Sequence, residues 1–131
     1  MRFTSPTQPT DRQTKGRTAE DEARHYLQSQ GLTLLMQNFR SNHGEIDLIM
    51  QDNHDIVFVE VRSRGRTDYG NALESITPTK INKIIHTAKY FLSLNEWTHT
   101  ISSRFDVIAI HPIDGKTTLE WFKNAFMPKK W

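Results

Sequence analysis

Gly44-Glu45-Ile46-Asp47-Leu48-Ile49-Met50-Gln51-Asp52-Asn53-His54-Asp55-Ile56-Val57-Phe58-Val59-Glu60-Val61-Arg62 is the stretch that decides the fold. Both of its arms alternate. Ile46, Leu48 and Met50 fall on one face with Glu45, Asp47 and Ile49 on the other, and Val57, Val59 and Val61 oppose Ile56, Phe58, Glu60 and Arg62. Two β-strands follow. The short polar link Asp52-Asn53-His54-Asp55 makes them an antiparallel hairpin. A turn centred between Asn53 and His54 sets Asp47 opposite Glu60 and Glu45 opposite Arg62, all on one face.

Directly opposed side chains in such a pair stand roughly 4.5–5.5 Å apart at Cβ, where like charges destabilise a sheet. Two facing carboxylates therefore need a partner. A divalent cation suits them, because Mg²⁺ takes one or two carboxylates together with water and phosphate oxygens. Arg62, two residues after Glu60, joins the same face and completes an acid–acid–base cluster. The alternatives are a register one residue off, or a carboxylate turned to solvent at a strand end.

An acidic residue on one strand followed by Glu-x-(Lys/Arg) on the next resembles the active-site pattern of the PD-(D/E)xK nuclease superfamily. Gly44–Ile49 with Val57–Arg62 is similar, more narrowly, to the bacterial YraN family of predicted endonucleases, themselves similar to archaeal Holliday-junction resolvases. The resemblance extends to Gly16 and Glu20, Thr77-Pro78-Thr79-Lys80, Arg104-Phe105-Asp106-Val107-Ile108 and Asn124-Ala125-Phe126. It implies an α/β, restriction-endonuclease-like fold, a mixed central β-sheet flanked by helices. It also implies a Mg²⁺-dependent (or Mn²⁺-dependent) endonuclease acting on nucleic acid, DNA above all, in linear, branched or damaged form. Asp47 and Glu60 would hold the metal, and Arg62 and Glu20 would complete the catalytic set. A homodimer would match the two-fold symmetry of a four-way junction. Arg62 stands where the superfamily usually has Lys. Arginine keeps its proton and can supply charge but not base catalysis. A catalytically silent nucleic-acid-binding module on the same fold is the alternative, and an interaction protein with a purely structural network of acids and arginines is a third reading.

Outward from this centre, the 131 residues suit one domain over 16–126, with 1–15 a disordered polar tail and 127–131 a loose basic one. Formal net charge is only +2, so any binding to nucleic acid must be local rather than histone-like. Absence of cysteine excludes disulfides, thiol catalysis and Cys-ligated zinc. No apolar run reaches the roughly 18 residues of a membrane span and no apolar leader opens the chain, so a cytoplasmic protein without membrane contact is expected.

Ala19, Ala23, Tyr26 and Leu27 recur at helical spacing, with Gly31 as a stop. Glu20 has two open readings there: a surface pair with Arg24 one turn on, or a further carboxylate of the cluster. Leu32–Ser41 reads as a first strand, in which Arg40 could pair with a phosphate but is read as an ordinary surface cation. His43 has no second ligand at close spacing, since His54 lies at the far end of the hairpin.

Ser63–Asn71 is a long loop carrying Arg64, Arg66 and Tyr69, suited to gripping phosphates and stacking on a base or sugar. Thr77-Pro78 starts a helix to about Leu94, with Ile81, Ile84, Ile85, Ala88 and Leu92 inward and Lys80, Lys83 and Lys89 outward. From Arg62 to Lys89 six basic residues stand against Asp68 and Glu74, a local excess of +4. Lys80 and Lys83 extend the expected nucleic-acid surface. Arg104–His111 alternates as a strand, and Asp114-Gly115 turns it into a last strand over Thr117–Phe122. Asp106 could join the acidic cluster, or be a structural acid that pairs with Arg104 or caps a neighbouring element, and the structural reading is preferred.

Overall fold

A computed structural model describes residues 19–63, 73–96, 101–113 and 116–128. Helix α1 (Ala19–Ser29) leads into strand β1 (Thr33–Ser41), then β2 (Gly44–Asp52) and β3 (Asp55–Ser63) form the hairpin. Helix α2 (Pro78–Leu94), β4 (Ser103–Ile113) and β5 (Lys116–Phe126) follow. The five strands make one sheet in chain order. β3 and β4 run parallel and every other neighbouring pair is antiparallel. This is an α/β fold of the restriction-endonuclease-like kind, a mixed sheet with a helix on each face.

The reason for the parallel pair lies in the chain between them. A parallel connection must cross over one face of the sheet, and α2 is that crossover. It starts where the sequence predicts: the Thr77 hydroxyl accepts a hydrogen bond from the Lys80 N–H at 3.1 Å, with Pro78 in the first turn. Such a cap stabilises a helix by about 1 kcal/mol. α2 buries Ile84, Ala88, Phe91 and Leu92 against Ile49, Ile56, Phe58 and Phe105 of the sheet. On the opposite face α1 buries Ala23 and Leu27 against Leu48, Met50, Val57, Val59, Ile108 and Ile110. Gly31, with φ 98°, ends α1 in a conformation that side chains resist. Among the described residues no helix is long and apolar enough to cross a membrane.

One expectation of strict alternation fails. Ile46 packs on the α2 side with Ile49, while Leu48 lies on the α1 side with Met50. The faces therefore exchange at Asp47. Opposite it Asn38 has φ 57°, a left-handed conformation that turns β1 over as well, so that Phe39 joins its partner Ile46 on the α2 side. The pairing register resumes unchanged on either side of this kink, from Gln37↔Leu48 to Phe39↔Ile46. The last strand also runs further than Phe122, reaching Phe126.

Candidate active site

The hairpin register is the one read from the turn, Asp52↔Asp55 through Leu48↔Val59. There the ladder stops. Instead of facing Glu60 as a ladder pair, Asp47 turns its carboxylate toward β3, and Oδ2 accepts the Val61 N–H at 2.8 Å. The kink thus places one carboxylate in the gap between two strands, within reach of groups from both faces of the sheet.

Glu60 keeps its alternation on β3 and lies on the α2 side, only 4 % exposed. Its Oε2 is 3.7 Å from Arg62 Nη1 and 3.7 Å from Lys80 Nζ. As an ionised acceptor its buried Oε1 finds no hydrogen-bond donor among the described residues. An acceptor left in that state costs about 1–3 kcal/mol, so the position is poorly explained as packing. Burial pushes the Glu60 carboxyl up to about 8; the adjacent charge of Asp47 and a hydrogen bond shared with it push the same way, and Lys80 and Arg62 only partly oppose them.

From the α1 side comes Glu20. It does not pair with Arg24, whose guanidinium lies 3.7 Å from Asp21 instead. Carboxylate oxygens of Glu20, Glu45 and Asp47 all lie within 4.8 Å of one another. Burial pushes Glu20 up to about 7, with Asp47 the next contributor and Glu45 the last, against a lowering hydrogen bond from Asn38. Asp47 is therefore the common member of two acidic contacts, Glu60 on one face and Glu20 with Glu45 on the other. Without a cation, protons must relieve this crowding. A divalent cation would relieve it with charge, and its preference for oxygen matches the donors present.

Residues 19–110 match the profile of the uncharacterised protein family UPF0102. The chain belongs to that family, the YraN family. A UPF0102 protein of Herminiimonas arsenicoxydans is 47% identical over 116 residues, covering 88% of this chain and 89% of the relative. One from Vibrio parahaemolyticus is 46% identical over 110 residues, with 84% and 89% covered. Another, from Legionella pneumophila, is 45% identical over 115 residues, with 87% and 95% covered.

In this UPF0102 chain the rim of the site is basic. The Arg62 guanidinium, 30 % exposed, donates a long 3.5 Å hydrogen bond to the Ser75 carbonyl from Nη2. The Lys80 side chain is 43 % exposed, and Lys83 is exposed one turn further along α2. Arg64, Arg66 and Tyr69 lie outside the described residues.

Glu45 is the site residue that sequence reasoning missed. Strict alternation sets it beside Arg62, but the kink at Asp47 moves it to the α1 side, where it meets Glu20 and, at 3.5 Å, Arg40. The signal available was Asn38, since asparagine tolerates positive φ far better than most residues. Nothing in periodicity points to it.

Proposed function

We propose that this protein is a metal-dependent nuclease that hydrolyses phosphodiester bonds in nucleic acid, with DNA as substrate. The observation that carries the reading is the orphaned Oε1 of buried Glu60 beside Asp47, at the point where β2 and β3 part. A fold does not bury one carboxylate beside another unless a proton or a cation offsets their charge, and a cation is what a site open to Arg62 and Lys80 can take up.

Asp47 and Glu60 would hold a divalent cation, Mg²⁺ or Mn²⁺, with Glu20 and Glu45 as additional carboxylates. The chemistry such a cation supplies when bound is Lewis acidity, which offsets charge on a phosphate and makes water a better nucleophile. This chain's own residues do the rest. The Val61 N–H fixes Asp47 so that its orientation costs little at the moment of reaction. Arg62 and Lys80 flank Glu60 from the exposed side and can donate N–H groups to the non-bridging phosphate oxygens on which negative charge builds. Arg62 cannot take a proton from the attacking water, because its guanidinium stays charged. Its contribution is charge and orientation.

The test is cleavage of labelled linear, single-stranded, flapped and four-way-junction DNA with Mg²⁺, Mn²⁺ or EDTA, beside Asp47→Asn and Glu60→Gln. Cutting that EDTA abolishes and that each substitution lowers by about 10²–10³-fold is the expected result. Binding without cutting, unchanged in both variants, overturns the nuclease in favour of the silent module.

A further inference from the structure

We infer that the backbone of one substrate strand leaves the acidic site along the side of α2 that carries Lys83 and His86, and that the β1–β2 turn is docked on that helix to set His43 beside them. This rests on the nuclease reading and adds the path of the substrate beyond the reacting phosphate.

The path begins at Lys80, already 3.7 Å from Glu60. Lys83 and His86 follow at intervals of three residues. A helix rises 1.5 Å per residue, so the three positions span roughly 9 Å, the length over which one strand of a duplex presents two or three phosphates. α2 contains three lysines and no acidic residue. Lys80 sits in its first turn, where the helix dipole disfavours a cation by about 0.3–1 kcal/mol. Its counter-charge at that end is Glu60, so Lys80 marks where the row meets the carboxylates. None of the ion pairs among the described residues involves Lys83, which is exposed.

The turn between β1 and β2 is held against this row by specific contacts. The Ser41 hydroxyl accepts the His43 N–H at 3.0 Å and donates to Thr87 Oγ1 at 3.3 Å, and Thr87 donates in turn to the Lys83 carbonyl at 2.8 Å. Gly44, with φ 151°, lies so close that a Cβ there would stand 3.4 Å from the Lys83 Cβ. The His43 and His86 rings stack with centroids 5.4 Å apart and planes inclined by 29°, and both residues are exposed. An imidazole offers an N–H donor in either protonation state. The residue after Gly44 is Glu45, a member of the acidic cluster. Lys80, Lys83 and His86 therefore follow one another at three-residue intervals along α2 from Glu60, with His43 stacked beside His86.

The test is fluorescence anisotropy of a short labelled duplex with the full chain in EDTA, where no cutting interferes, as a function of salt. Lys83→Ala should weaken binding by roughly 3–10-fold and reduce the slope of log K against log salt by about 1, while Lys83→Arg retains the slope. His43→Ala/His86→Ala should weaken binding by a similar factor. Lys123→Ala, on β5 with its ammonium over Trp121, should change neither quantity. A neutral methylphosphonate two or three nucleotides from the cut should reproduce the Lys83→Ala loss in wild type and add nothing in that variant. Wild-type binding with no change in any of these variants overturns the path and leaves the nuclease intact. A wild-type chain that binds no nucleic acid in EDTA and neither binds nor cuts it with Mg²⁺ overturns the nuclease reading, and the path with it.

Discussion

Asp47 and Asp106 do the same thing for the backbone and opposite things for their surroundings. Each accepts an N–H from the neighbouring strand where the ladder is interrupted, Asp47 from Val61 at 2.8 Å and Asp106 from Asn124 at 3.0 Å. Around Asp106 every other contact is a donor. Arg104 Nε lies 3.1 and 3.2 Å from its two oxygens, and the Trp121 indole N–H donates to Oδ2 at 2.9 Å. Arg104 then continues to Asp52 at 2.9 Å. Burial lowers the guanidinium's proton affinity, and the bonds and charges of Asp106 and Asp52 more than offset that. Around Asp47 the neighbours are Glu20, Glu45 and Glu60, acceptors like itself. A closed set of donors makes a structural acid. An incomplete one leaves a place for a cation.

Removing each acid in turn is the sharpest way to break that comparison. Asp106→Ala would leave Arg104, whose side chain is 13 % exposed, with Asp52 and Asp55 but without the carboxylate that binds its Nε, and would strip the Trp121 N–H of its acceptor. The expected loss is about 3–5 kcal/mol, a fall in Tm of roughly 10 °C or more by thermal unfolding. A loss near zero would mean that this network is decorative.

Glu60→Gln should go the other way. Between the ordinary carboxyl value of 4.5 and about 8, folded Glu60 holds a proton that the unfolded chain has released. The folded state binds more protons in that window, so stability falls as pH rises through it. Without metal, the glutamine variant should match wild type near pH 4.5 and exceed it near pH 8 by about 1–3 kcal/mol. Its pH slope should be flatter, and saturating Mg²⁺ should flatten the wild-type slope in the same way. Thermal unfolding across pH in EDTA reads both. A variant less stable than wild type at pH 8 would place Glu60 with Asp106 among the structural acids.

Much of this contrast is legible in the sequence, and the missing part has one physical origin. Alternation and a four-residue polar link are enough for the hairpin and its register from Asp52 to Leu48, because a one-residue slip would exchange the two faces of a strand. Thr77-Pro78 marked a helix start because an unsatisfied first turn needs a cap. Asp106 was read as structural from Arg104 two residues away on the same face. Glu45 was missed because its place depends on the single backbone torsion of Asn38, on another strand. The end of β5 was placed too early for a similar reason: Asn124, with φ 52°, bends the strand so that its N–H meets Asp106. Local pattern fixes which residues form a strand. It does not report where a neighbouring side chain will replace a ladder bond.

Asn38→Gly gives the smallest expected effect, and substitutions of Asn38 give the finest test of what makes the two aspartates differ. If the kink alone sets Asp47 among acids, then a residue that keeps φ near 57° should keep the cluster. Glycine does so at no steric cost, so Asn38→Gly should change stability by less than about 1 kcal/mol. It removes the hydrogen bond that lowers the Glu20 carboxyl, so Glu20 should hold its proton to still higher pH, measurable by NMR titration. Asn38→Val should resist the left-handed conformation and cost roughly 1–3 kcal/mol. A strand straightened in that way would return Glu45 toward the Arg62 side and separate it from Glu20. If instead Asn38→Val titrated like wild type, the backbone kink would not be what gathers the carboxylates, and Asp47 would owe its surroundings to the packing of α1 alone.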